Sequence, residues 1–257
     1  EIDLFGKVRR ANESARAALL SSEYASQTLK LSIASSVAAS YIKLSSLQGQ
    51  IDLAKENLTL TDEIVKFNEL KYKHGVIAES VLLQSLSEHE SAKATLSSLE
   101  ASKIAEEATY NLLLGRNPTS VSTSPLDSMN VPSIPSELSS DLLNKRPDIA
   151  SAEQNLIAAN AMIGVARAAY FPSIKLTGML GVQSLELSSF VSNPARIWEL
   201  APSVSVPIFS AGRIAGEIKT AEADRNQSLA AYKKSIVSAF NDTDNALGQT
   251  AKAKEQV

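Results

Sequence analysis

The sequence contains no cysteine, which excludes disulfide bonds, zinc–thiolate sites and a cysteine nucleophile. Glycine and proline are sparse, and aromatic residues make up only 5% of the chain. No uncharged apolar run approaches the roughly 18 residues of a membrane-spanning helix. The net charge of −3 argues against a nucleic-acid partner, because phosphate binding requires a basic surface. If this chain crosses a membrane, it does so with strands.

The first third of the chain has the pattern of one very long helix. From Val8 to Tyr72 there is no proline, and the only glycine is Gly49. About 65 helical residues would reach roughly 100 Å, which indicates a coiled coil, a repeat or a long helical tube. The apolar residues recur at steps of three, four or seven and form one stripe: Val37, Tyr41, Leu44, Leu47, Ile51, Ala54, Leu58 and Val65.

This stripe is interrupted at Lys73-His74-Gly75, where Gly75 can adopt the left-handed conformation that ends a helix. A second helix is predicted from about Glu79 to Leu114, with Gly115 as its stop. Because the intervening turn is short, the two helices are predicted to be antiparallel neighbours. The seam of the second helix comprises Leu82, Leu86, His89, Ala92, Leu96 and Leu99.

Residues 116–145 change character, because four prolines interrupt a stretch rich in serine and threonine. We predict an extended linker with a short helix near Glu137–Leu143. Arg146-Pro147-Asp148 then opens a third helix, which runs to about Ala169, since proline suits the first helical position. Arg146 and Asp148 are interpreted as a helix start with a structural ion pair. A fourth long helix is predicted to begin near Gly212-Arg213.

Two strictly alternating strands, joined by a loop over roughly 184–196, lie between the third and fourth helices. Such alternation arises when a strand separates two solvents, and about ten residues suffice for a tilted strand to cross a bilayer. A soluble half-buried hairpin has the same pattern, so the residues alone leave both alternatives open. The apolar face, on which we expect no charge, comprises Ile174, Leu176, Leu180, Val182, Trp198, Leu200, Val204, Val206 and Ile208. The polar face comprises Lys175, Thr177, Gln183, Glu199, Ser203 and Ser205.

Catalytic and metal-binding patterns do not emerge from the sequence. His74 and His89 lack metal-ligand spacing, and the position of His89 on a helix seam favours a packing role. The methionines form no soft-metal cluster, and there is no phosphate-binding loop or Ser/His/Asp order. We therefore expect neither an enzyme nor a metal site. For Asp242 and Asp244 on the fourth helix, a position lining a long helical tube and simple solvation remain equal alternatives.

Similar residues at the starts of the two long helices suggest an internal duplication, in which the first strand pair would lie before Glu1. Leu4-Phe5-Gly6-Lys7 opens the first long helix, and Ile208-Phe209 followed by Gly212-Arg213 opens the last. The predicted repeated unit is a strand pair, a long helix, a turn and a returning helix. The chain begins without methionine or a signal peptide and stops within a helical pattern at Val257, so we expect a fragment of a longer polypeptide.

Several motifs together resemble the outer membrane efflux protein family. They are Asn-Lys-Arg-Pro-Asp-Ile at 144–149, Ala-Glu-Gln at 152–154, Ala-Ala-Asn-Ala at 158–161 and Gly-Val-Ala-Arg-Ala-Ala-Tyr-Phe-Pro-Ser at 164–173. The similarity is greatest to the lipoprotein branch of the OprM, CusC and NodT type, and more distant to TolC. Residues 1–6 and 207–213 also look like the strand-to-helix junctions of the family. The resemblance extends over nearly the whole chain.

The resemblance implies a mainly α fold with a transmembrane β-hairpin, assembled as a homotrimer in the outer membrane of a Gram-negative cell. Each subunit would contribute four strands to a twelve-stranded β-barrel, and its long antiparallel helices would form a hollow α-barrel through the periplasm. The implied partners are a periplasmic adaptor (membrane fusion) protein, an inner-membrane RND transporter and outer-membrane lipid. No cofactor is expected, apart from an N-terminal lipid anchor outside this sequence.

The same resemblance divides the chain into five parts. Residues 1–115 would form the first helical hairpin of the α-barrel, 116–145 a linker or equatorial segment, and 146–171 a helix of the second repeat. Residues 172–210 would form the β-hairpin of the membrane barrel, and 211–257 a truncated long helix. In the family the turn after the first helix docks the adaptor, which assigns that role to Tyr72, Lys73, Gly75, Val76, Ile77, Ala78 and Ser80.

In this turn Val76 and Ile77 are expected to be exposed, and a plain turn without a partner is the alternative. The second periplasmic tip would lie beyond Val257. In the hairpin, the apolar set would face lipid and the polar set the lumen. The function that the resemblance implies is the outer-membrane channel of a tripartite efflux system that exports drugs, metal ions or other small toxic compounds. A soluble coiled-coil scaffold or adaptor and a type I secretion channel are the alternatives.

Overall fold

The computed structural model of the protein describes residues 1–130, 145–184, 187 and 195–256. Within these ranges no helix is both long and apolar enough to cross a membrane. The chain folds into two compact units, one of residues 29–134 and the other of residues 1–28 with 135–257. The five-part division expected from the sequence stays a prediction. The elements are α1 (Lys7–Lys73), α2 (Glu79–Leu113), α3 (Pro147–Ala168), β1 (Ser173–Gln183), β2 (Ala195–Ser205) and α4 (Arg213–Gln256).

These elements follow the predicted order, and most of their boundaries agree within two residues. β2 is an exception, because it ends at Ser205 rather than near Phe209. Ser205 faces Ser173, the first residue of β1, so no β1 residue lies opposite the chain beyond it. Pro207 also lacks the N–H that would continue the ladder. The helix predicted near Glu137–Leu143 and most of the loop predicted between the strands lie outside the described residues.

In the unit of residues 29–134, α1 and α2 pack along a seam with heptad spacing. The predicted stripe of α1 is confirmed, since Leu44, Leu47, Ile51 and Val65 are buried. Between positions 82 and 106 of α2, the buried or half-buried residues are 82, 85, 89, 92, 96, 99, 103 and 106, which alternate steps of three and four residues. This is the seven-residue repeat of a coiled coil.

The α2 seam differs from the prediction at one position. Ser85 is buried, whereas Leu86, which was expected in the seam, lies on the exposed side. The Ser85 hydroxyl donates a hydrogen bond to the carbonyl of Leu82 at 2.8 Å, so its burial leaves no unpaired donor. A small residue at this position allows close approach of the helices, which a leucine would prevent.

A buried carboxylate connects α1 and α2 near the end of the seam. Glu106, only 8% exposed, accepts hydrogen bonds of 2.6 Å from Lys43 Nζ and from Ser40 Oγ. The bond from Lys43, followed by that from Ser40, holds the pKa of Glu106 below its ordinary value. Lys103 adds a second link by donating to Gln48 at 2.7 Å. These polar pairs fix the register of the two helices, because a shift by one turn would leave the buried Glu106 carboxylate without its partners.

Both glycine stops predicted from the sequence are confirmed. Gly75 has φ of +69°, its N–H donates to the carbonyl of Tyr72 and the next N–H, of Val76, donates to Lys71, each at 2.9 Å. This is the Schellman arrangement, which satisfies the last carbonyls of α1. Gly115, with φ of +65°, ends α2 in the same way.

In the unit of residues 1–28 and 135–257, α3 packs against α4 and the first turns of α1. Ser21 and Ser151 each donate a hydroxyl to the other's carbonyl, at 3.1 and 3.0 Å, so α1 and α3 approach closely. The predicted ion pair of Arg146 and Asp148 is present at 2.8 Å. Arg146 also reaches Asp242 on α4 at 3.1 Å, which gives that carboxylate a structural contact.

Gly75, which follows α1, and Gly49, which lies within it, provide a test of the helix-stop geometry. Replacement of Gly75 by alanine should destabilise the protein by about 1 kcal/mol, because an L side chain is disfavoured at positive φ. Gly49, in the middle of α1, has no atom within 4 Å of an added Cβ, so Gly49→Ala should stabilise by up to about 1 kcal/mol. Thermal unfolding of the full-length protein, followed by helical circular dichroism, should therefore shift in opposite directions. Equal shifts of the same sign would contradict this account.

Candidate functional site

The two strands form a regular hairpin that separates its side chains into two sets. β1 and β2 pair without a bulge from Ser173↔Ser205 to Gln183↔Ala195. Facing residues of an antiparallel pair lie on the same side of a sheet. The register places Leu180 beside Trp198 on one face and Lys175 beside Ser203 on the other. Within the strands, every residue of the predicted apolar set lies on the first face and every residue of the predicted polar set on the second.

The apolar face is uncovered. Leu180 is 86% exposed and Trp198 77% exposed, although these are large hydrophobic side chains. Val206 and Ile208 follow β2 rather than belong to it, and Ile208 is 99% exposed. A contiguous apolar surface of this kind marks contact with a partner or a membrane. That the face meets lipid stays a prediction.

Arg196 corrects the expectation that this face is free of charge. β2 begins at Ala195, earlier than the sequence indicated, and the register places Arg196 opposite Val182 on the apolar face. The arginine is in the row next to the inter-strand loop, not in the middle of the face. A long arginine side chain near the edge of an apolar band can extend its guanidinium to the polar boundary.

Residues near the start of the chain and just before β1 connect the hairpin to the helices. The backbone N–H of Ile2 donates to the carbonyl of Ile174 at 2.8 Å and forms an isolated antiparallel bridge. The rings of Phe5 and Phe171 are stacked with centroids 4.7 Å apart. Asp3 accepts hydrogen bonds from the backbone N–H groups of the first turn of α1. The sequence analysis did not assign these roles, although an aspartate shortly before a helix is a recognisable capping signal.

The predicted echo between the two strand-to-helix junctions is visible in the backbone. α1 begins directly after Gly6, with φ of +82°, and α4 directly after Gly212, with φ of +83°. In both cases the glycine carbonyl accepts the N–H four residues later, at 2.8 Å from Arg10 and 2.9 Å from Gly216. Both long helices thus start directly after a left-handed residue, a conformation that favours glycine, although at the second junction Ala211 also has a positive φ of +47°.

The turn between α1 and α2 presents the residues predicted as a docking tip. Val76 is 67% exposed, and Tyr72, Lys73, Gly75, Ala78 and Ser80 are exposed as well. Ile77 was expected to be exposed as well, but it is half-buried. The Schellman turn at Gly75 fixes the position of Val76 through its N–H bond to Lys71. Whether a partner binds here stays a prediction.

The two histidines have different surroundings. His89 Nδ1 lies 3.3 Å from Thr61 Oγ1 across the α1–α2 seam, which agrees with a packing role. His74 lies in the exposed turn. Across the described part of the chain, no three histidine, aspartate or glutamate side chains are grouped so that they could hold a metal ion.

Comparison with known proteins identifies the family. The model of the outer membrane efflux protein family matches residues 1–116 and 138–257, and the chain belongs to this family. The solvent efflux pump outer membrane protein SrpC of Pseudomonas putida is 35% identical over 96% of this chain and 53% of its own length. The cation efflux system protein CusC of Escherichia coli K12 is 32% identical over 100% of this chain and 57% of its own length.

Solved structures agree with this assignment. The open state of the MtrE outer membrane channel of Neisseria gonorrhoeae superposes with a TM-score of 0.83 at 32% identity, over 99% of this chain and 58% of that one. The predicted family and the predicted combination of long helices with a β-hairpin are therefore confirmed, as is the outer membrane as the family's location. The chain spans only 53–57% of the length of SrpC and CusC.

Neighbouring residues on opposite faces of β1 test the lipid assignment. Leu180→Arg should reduce membrane insertion, because an arginine on a lipid-facing strand costs about 2–4 kcal/mol near the bilayer midplane. Met179→Arg, one residue earlier on the polar face, should insert normally. The measurement is the amount of heat-modifiable oligomer in the outer-membrane fraction. Equal loss in both variants would contradict the assignment of the two faces.

Proposed function

We propose that the full-length protein is the outer-membrane channel of a tripartite efflux system and works as a homotrimer. The single observation that supports this best is the hairpin, with one exposed apolar face and one polar face in unbroken register. Such a hairpin is suited to the wall of a pore between lipid and water. Family membership agrees with this function.

In the proposed assembly the long helices extend the pore away from the membrane as a hollow α-barrel. The heptad seam of α1 and α2 supplies a stiff antiparallel pair, which ends in the exposed turn around Val76. A periplasmic adaptor would contact this turn, and an inner-membrane RND transporter would supply the energy. Adaptor binding would open the tip, after which substrate diffuses through the lumen.

The proposed mechanism is passive and uses no catalytic centre and no cofactor. It includes an N-terminal lipid anchor as in lipoprotein members such as the probable outer membrane lipoprotein SilC of Salmonella typhimurium, which is 33% identical to this chain. The relatives are named for solvent efflux and for cation efflux at closely similar identity. We therefore propose a broad substrate class of drugs, metal ions and other small toxic compounds.

Deletion of the full-length gene tests the efflux function. The deletion strain should become at least several-fold more sensitive to some detergents, dyes, antibiotics, solvents or metals. The intact gene should restore resistance, whereas the insertion-defective Leu180→Arg variant should not. The proposal would be refuted if the deletion caused no sensitisation, both in the parent strain and in a strain whose other efflux channels have also been removed.

Val76 tests the docking role of the tip. Val76→Asp should abolish cross-linking to the adaptor, because it places a charge in the centre of the proposed apolar contact. The control is Leu112→Asp, which adds the same charge at an exposed leucine near the other end of α2. Both variants should first be shown to form trimers. Unchanged cross-linking of trimeric Val76→Asp would exclude this turn as the docking site.

A further inference from the structure

The polar face of the hairpin has charged side chains at only two of its positions in β1 and β2. The register places Lys175 opposite Ser203, near the helices, and Glu199 opposite Met179, toward the inter-strand loop. Both side chains are exposed. Neither forms an ion pair with another residue in the described ranges, so both charges are available to the solvent at this face.

The two charges are too far apart to neutralise each other. Lys175 and Met179 are four residues apart on β1, which corresponds to about 13 Å along the strand. The screening length at physiological ionic strength is about 8 Å. Thr177 and Ala201, which face each other between the Lys175 pair and the Glu199 pair, are uncharged. The polar face therefore has a separate positive level and a separate negative level.

We propose that Lys175 and Glu199 determine the charge selectivity of the conduit. This inference rests on the proposed function, in which the polar face lines the lumen of a trimer. Three-fold symmetry would repeat each charge around the pore, with lysines at the level near the helices and glutamates at the level near the loop. Charge of one sign in a confined opening raises the local concentration of the opposite ion. Glu199 would concentrate cationic substrates, and Lys175 anionic ones.

Thr177 provides a reporter position for the potential at this face. It lies two residues from Lys175 and two from Met179, the partner of Glu199, hence about 7 Å along the strand from each level. The sequence has no cysteine of its own, so Thr177→Cys introduces a single thiol into this part of the protein. Cationic and anionic methanethiosulfonate reagents of similar size then measure the local potential through the ratio of their reaction rates.

The experiment uses the full-length Thr177→Cys protein in phospholipid vesicles at about 10 mM salt, where screening is weak. Adding Glu199→Gln should slow the cationic reagent and accelerate the anionic reagent about twofold each, as expected for one charge at this distance in water. Lys175→Gln should have the opposite effect. Both effects should shrink at about 1 M salt, where the screening length is only about 3 Å.

Arg196 supplies a control charge on the opposite face of the same hairpin, opposite Val182 and about 16 Å along the strand from position 177. Arg196→Gln should leave the rate ratio at position 177 unchanged. If Glu199→Gln and Lys175→Gln leave the ratio unchanged, or if Arg196→Gln changes it equally, the selectivity inference is overturned.

A cysteine at Leu180 distinguishes that failure from failure of the proposed function. In the pore wall, Leu180→Cys faces lipid and should be protected from both reagents while Thr177→Cys reacts. If the inference alone is wrong, this protection remains although the rate ratio does not respond to charge. Equal labelling of the two thiols, or no labelling at position 177, would overturn the proposed function together with the inference.

Discussion

The main constraint on this structure is that its two-stranded sheet needs further contacts to be stable. An isolated hairpin is marginally stable at best, and here one face exposes Leu180 and Trp198 to whatever surrounds it. Among the described residues, the outer edges of the sheet pair with other backbone only at the bridge between Ile2 and Ile174. In lipid such edges have to be paired in a closed barrel. Strands from other parts of the full-length protein and from other subunits satisfy both requirements in the proposed assembly.

The helices depend on additional contacts for a related reason. Among the described residues, Leu44 and Ile214 are the only large side chains that are almost fully buried. Besides the apolar stripe of α1, the α1–α2 seam contains serine, alanine and the Glu106 pairs, which define register more than they bury apolar surface. Leucine and isoleucine side chains on the outer surfaces of the same helices, such as Leu53 and Ile104, stay exposed. These side chains would be covered by neighbouring copies in the proposed hollow assembly.

Features determined by local chemistry were predictable from the sequence, and features determined by pairing were not. Gly75 and Gly115 end helices because their neighbours leave carbonyls that a left-handed residue satisfies, and Pro147 opens a helix by its fixed φ. The burial of Ser85 in place of Leu86 follows from a heptad seam that only the partner helix defines. Arg196 was missed on the apolar face because the start of β2 is set by its pairing with Gln183. Within the candidate tip, Gly75 was predictable and the burial of Ile77 was not.

The glycines before α1 and α4 lie where the strand region of the chain joins the long helices. A chain that leaves a strand and enters a long helix must change direction abruptly, and Gly6 and Gly212 do so at nearly identical φ. At the first junction the stack of Phe5 on Phe171 and the capping by Asp3 fix the direction of α1 relative to the base of the hairpin. A hairpin joined flexibly to its helices would leave the barrel and the helical wall free to misalign. The second junction shares the left-handed glycine but also has Ala211 at φ of +47°, so the two junctions agree in the glycine that starts each helix and differ in the residues before it.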